Sequence, residues 1–87
     1  MKRKDLVNEI VDFCLDYKVF NEQMGVDEIK RTIESRLENV EFLETLTSTV
    51  FKRAKRYKIL REPRVVKILL ELDIVRAELE SKDYNNS

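Results

Sequence analysis

Asp5, Glu9, Asp12 and Asp16 recur at steps of four, three and four residues, which on a helix gathers four carboxylates into a wedge of about 60°. Carboxylate pairs are the raw material of general acid–base catalysis and of oxygen-liganded metal sites. Here they fall on a polar edge, away from the apolar side of the same stretch. Carboxylates there are solvated and ionised, so they read as solubilising charge. No other residue type completes a site. The chain has no histidine, which removes the commonest zinc ligand and the side chain that titrates nearest neutral pH. Ser-His and Cys-His nucleophile pairs are therefore excluded, as is a Glu-x-x-His ligand pair. A single glycine cannot build a phosphate-cradling loop. The lone Cys14 sits on the apolar side of its helix and reads as a buried, inert thiol. It permits no internal disulfide and fits a reducing compartment. The sequence thus predicts no enzyme, no cofactor and no metal.

What remains is surface chemistry. Lysine and arginine number 17 and aspartate and glutamate 17, so no net charge draws the chain to nucleic acid or membrane. The distribution is uneven. Residues 5–51 hold 11 acids and 4 bases, whereas residues 52–67 hold 8 bases and 1 acid. The basic segment is Lys52, Arg53, Lys55, Arg56, Lys58, Arg61, Arg64 and Lys67. Its first four members project opposite Val50, Ala54 and Tyr57, as one cationic face able to grip phosphates, with Tyr57 as a stacking ring if exposed. The plainer reading is helix electrostatics, since bases belong near a helix C-terminus. The acidic stripe has three readings: a solvated face, an internal partner for the basic segment, or a dock for a basic protein.

The elements that carry these residues follow from periodicity. Leu6, Ile10, Phe13, Cys14 and Tyr17, widened by Val7 and Val11, predict a helix over about 4–18. Phe20 and Met24 are expected to tuck beneath the connection that follows. Gly25 supplies a chain reversal and Asp27 a cap for the next helix. From Val26, the residues Ile29, Ile33, Leu37, Val40, Leu43, Val50, Ala54 and Tyr57 keep helical register. Either one long helix or two result; two are favoured, over 27–38 and 40–58, with Asn39 capping the second. Pro63 suits a first helical turn, so a last helix is expected over 63–81, then a flexible, frayed tail at 82–87. No internal repeat is evident.

The last helix is apolar on two sides. Val65, Ile68, Leu69, Leu72, Val75 and Leu79 make one stripe. Val66, Leu70, Ile74 and Ala77 make a second, about 150° away. Arg76 falls within the range of the first stripe, so a paired or boundary position is expected for it. A small bundle has one core, so the second stripe is either covered by the chain itself or offered to a partner.

The expectation is an all-α single domain, a three- or four-helix bundle with short connections. No apolar run is long enough for a leader or a membrane span, and the cytoplasm is the expected compartment. The leading functional expectation is a small, non-enzymatic regulatory or accessory protein that binds a protein through Val66, Leu70, Ile74 and Ala77, with Lys52, Arg53 and Arg56 steering. Nucleic-acid binding through residues 52–67 is the alternative, and a structural homo-oligomer the third.

Overall fold

A computed structural model describes residues 3–20 and 23–86, with side chains as far as residue 81. The described residues form four helices: α1 (Arg3–Asp16), α2 (Val26–Arg36), α3 (Val40–Arg56) and α4 (Pro63–Asn86). The periodicity therefore gave the right class and the right number at the upper limit of expectation. α1 packs on α2 and on α4, and α3 packs mainly on α4. The molecule is two sequence-local hairpins, α1–α2 and α3–α4, docked through α1 and α4. Its extents are 40 × 28 × 21 Å. The 24 residues of α4 span about 36 Å at 1.5 Å per residue, so this helix runs nearly the length of the protein.

One apolar core holds the hairpins together. Leu6, Val7, Ile10, Val11, Phe13 and Cys14 of α1 are buried, which explains why that helix shows so wide an apolar side. α2 contributes Ile29 and Ile33, and α3 contributes Leu43, Leu46, Val50 and Ala54. From α4 come Val65, Ile68, Leu72 and Val75. Tyr17, Val19, Phe20 and Met24 close the core beneath the first connection, as expected for the last two.

The helix boundaries have local causes. Asn39 breaks the 26–58 stretch in two: its backbone is extended, and its side-chain oxygen accepts a hydrogen bond from the Phe42 N–H at 3.0 Å. That bond satisfies one of the free donors at the start of α3. Pro63 occupies the first turn of α4, where its missing N–H costs nothing.

Three expectations need correction. Gly25 does not reverse the chain through a left-handed conformation. It is extended, with φ −73° and ψ 160°, and is itself the N-cap of α2. Asp27 lies inside the first turn of α2, where its charge favours the helix dipole but does not cap. The left-handed positions are Lys18, with φ 52°, and Lys58, with φ 59°. Each ends a helix in the same way. The Val19 N–H donates to the Cys14 carbonyl, and the Ile59 N–H to the Ala54 carbonyl, five residues back. This is the Schellman closure, with an apolar residue folded onto the core just after the left-handed one. Tyr17-Lys18-Val19 and Tyr57-Lys58-Ile59 are thus one short motif used twice, a local repeat hidden by its brevity. Finally, α4 does not stop near Ser81. Its backbone is helical as far as Asn86, so the tail expected at 82–87 is helical through that residue, and Ser87 lies outside the described residues. No glycine or proline follows Pro63 to interrupt the ladder.

Candidate interaction surface

The acidic stripe and the basic segment meet, but only in part. The Arg64 Nη1 donates to the Asp16 Oδ2 at 2.8 Å, and the Lys67 Nζ lies 3.7 Å from the Glu9 Oε1. Arg64 also covers two rings of α1: its guanidinium carbon is 6.0 Å from the centre of Phe13 and 5.6 Å from that of Tyr17. The Asp16 hydrogen bond holds the Arg64 pKa above its ordinary value, against a smaller opposing effect of burial. The side chains are a third to a half exposed, so each pair is worth about 0–1 kcal/mol. Their clearer consequence is placement: they fix α1 along the Arg64 and Lys67 edge of α4. A shallow cleft of about 270 Å³ opens among Asp5, Asn8, Glu9, Asp12 and Lys67. Among the described residues, no cluster of three or more acidic or cysteine side chains is arranged to hold a metal ion.

The bases of α3 and its exit are a different population. Lys52, Lys55, Arg56, Lys58 and Arg61 are exposed, and Arg53 is half-buried. Among the described residues none of the six forms an ion pair, whereas Arg3, Arg64, Lys67 and Arg76 all do. Residues 45–61 contain six bases and no acid. Thr49, Lys52, Arg53 and Arg56 line an open cleft of about 240 Å³. Arg53 also exerts its charge on Cys14. Burial dominates there and pushes the thiol pKa up to about 12, with Arg53 drawing it down by less. Cys14 is 2% exposed, as expected for an inert thiol. Tyr57 is exposed at its edge, but its ring packs against Tyr17 at 5.0 Å, so a stacking role for it would use only the free side.

α4 separates its two apolar stripes. Val65, Ile68 and Leu72 are fully buried, while Val66, Leu70 and Ile74 are 40%, 59% and 49% exposed; Ala77 is exposed as well. Among the described residues, no helix covers the second stripe. Arg76, expected at a boundary, is partly exposed and pairs with Asp73 at 3.0 Å and Glu80 at 4.0 Å. The sequence reading missed Phe51, which is 47% exposed on α3. The available signal was its place between Ser48, Lys52 and Lys55 on the polar side of an otherwise regular amphipathic helix.

Among the described residues, no helix is long and apolar enough to cross a membrane. No family model matches the chain, and no solved structure matches it. Over 68 residues it is 38% identical to Cell division control protein 12 of Saccharomyces cerevisiae, an alignment covering 78% of this chain and 16% of that protein. The chain therefore spans less than a fifth of the length of the curated relative it matches, and no residue role is carried across.

Proposed function

We propose that this chain is a non-enzymatic interaction module, a small regulatory or accessory protein of the cytoplasm that binds a protein partner through α4. The observation that carries the reading is the exposed stripe of Val66, Leu70, Ile74 and Ala77 on a helix whose opposite side already fills the core. Apolar ridges on exposed helices are a common recognition element. The unpaired bases Lys52, Arg53 and Arg56 supply attraction at a distance. The likeness to a stretch of a cell division control protein supports a regulatory role over a catalytic one.

The test is capture from source-cell extract with the wild-type chain and with Leu70→Glu/Ile74→Glu. Both positions are exposed, so the variant keeps its helicity and melting. Loss of a specific captured protein in the variant is the expected result. An unchanged capture profile overturns the apolar-interface reading.

The unpaired α3 bases favour a second reading, nucleic-acid binding through Lys52, Arg53, Lys55, Arg56, Lys58 and Arg61. The original segment shrinks here, because Arg64 and Lys67 are engaged with α1. With four to six phosphate contacts, duplex affinity falls roughly 10²- to 10³-fold between about 50 and 200 mM salt. Lys52→Glu with Arg56→Glu abolishes it. Fluorescence anisotropy with labelled DNA and RNA decides: no binding at low salt removes this reading.

A further inference from the structure

The apolar stripe of α4 and one part of the basic face of α3, Lys52 and Lys55, belong together, whereas Arg53, which acts on Cys14 of α1, and Arg56 lie round the other side of α3. The ion pairs Asp16–Arg64 and Glu9–Lys67 place α1 on one edge of α4, and the Tyr17–Tyr57 ring contact places it against the C-terminal end of α3. Phe51 lies about 120° around α3 from Tyr57, and Val66 lies about 160° around α4 from Arg64. Both therefore face the side of the α3–α4 hairpin that α1 leaves open. The short 57–62 connection makes the two helices antiparallel, so counting back from it sets Phe51 level with about residues 68–70 of α4. On that side the order of side chains is Lys52 and Lys55, then a ring, then an aliphatic ridge.

We infer that Phe51 of α3 with Val66, Leu70 and Ile74 of α4, bordered by Lys52 and Lys55, forms one docking surface for an acidic amphipathic helix of a partner protein. This rests on the interaction reading above and names the chemistry of the partner.

Charge complementarity selects this occupant. Six bases gathered within residues 52–61 without an acid repel one another, and the negative end of the α3 dipole offsets only part of that. A ligand that supplies carboxylates along one edge relieves it. The apolar ridge at 66, 70 and 74 advances by about one turn at each step, and Phe51 adds an exposed ring on the neighbouring helix, the spacing an amphipathic helix can follow. A phosphate backbone would meet the bases and leave Val66, Leu70 and Ile74 in water. A second copy in an isologous contact would bring two sets of the same bases to one interface. An acidic amphipathic helix satisfies both halves at once.

The experiment titrates the full-length chain by anisotropy against three labelled synthetic helices of equal length. One has a leucine face and a glutamate face, one has the glutamates replaced by lysines, and one is a scramble of the first. The expected result is selective binding of the glutamate helix. Phe51→Ala and Leu70→Glu should each weaken it roughly 10-fold or more. Lys52→Glu/Lys55→Glu should weaken it strongly at low salt and less at high salt. All three variants change exposed side chains, and their melting curves verify folding. Equal binding of the lysine helix or the scramble overturns the inference, as does no binding of any helix. It is also overturned if duplex DNA or a second copy binds with the same dependence on Phe51 and Leu70. If no helix binds while extract capture still depends on Leu70 and Ile74, only the partner class fails. If capture is also unchanged, the interaction reading fails with it.

Discussion

The two apolar stripes of α4 are made of the same residue types and meet opposite fates. Leu72 is fully buried and Leu70 is 59% exposed, two residues apart on one helix. The first contributes to folding through area removed from water and through close packing. The second contributes almost nothing to folding and remains available to a ligand. The difference shows that apolar character alone does not define the core; what defines it is which side of a helix the neighbouring hairpin reaches.

Substitutions measure that difference directly. Leu72→Ala is expected to cost about 2–5 kcal/mol in urea unfolding, whereas Leu70→Ala should stay within about 0.5 kcal/mol of wild type. Equal costs would mean that the second stripe is covered in solution. The next effect is set by pH at Cys14, whose neighbour Leu15 is exposed while it is not. Its folded pKa is raised from 9.0 to about 12 by burial. The neutral thiol therefore contributes fully below about pH 9, and that contribution is lost as pH rises towards the folded value, because the unfolded chain ionises first. Between about pH 9 and 10.5, wild type should lose roughly 1 kcal/mol per pH unit more than Cys14→Ala does. Parallel pH profiles would show the thiol to be solvated.

Smaller effects sharpen the contrast at helix starts. Asn39→Ala should cost about 1 kcal/mol by removing the cap of α3, whereas Asp27→Ala, inside the first turn of α2, should cost only about 0.3–1 kcal/mol, and that cost should fade with salt. Gly25→Ser should stabilise by a few tenths of a kcal/mol up to about 1, since its extended backbone suits any residue, nothing lies within 4 Å of an added Cβ, and serine is the better cap. A loss of stability there would mean that α2 begins elsewhere.

These cases also show what the sequence made legible. The break at Asn39, the start at Pro63 and the two stripes of α4 rest on local rules of capping and period, which need no tertiary knowledge. Gly25 was misread because a glycine near a chain reversal is the usual bearer of positive φ, and here two lysines bear it instead. Lys18 and Lys58 are held there by Val19 and Ile59 folding onto the core, a tertiary gain that overrides the backbone preference. The meeting of Asp16 with Arg64 and of Glu9 with Lys67 was an open option because it depends on which helix α1 packs against. Phe51 went unnoticed because one exposed ring does not disturb the period of the stripe beside it.

The Asp16–Arg64 contact joins residues 48 apart in the chain, and the rings of Tyr17 and Tyr57 meet beside it. Within each hairpin the partners are close in sequence, and loop closure is cheap. The kinetic consequence is an order of events: each hairpin can gather early, and the Tyr17–Arg64 corner closes last, when the hairpins dock. Weakening that corner should then leave the folding rate nearly untouched and speed unfolding, so that Arg64→Ala shortens the lifetime of the native state more than it delays its formation.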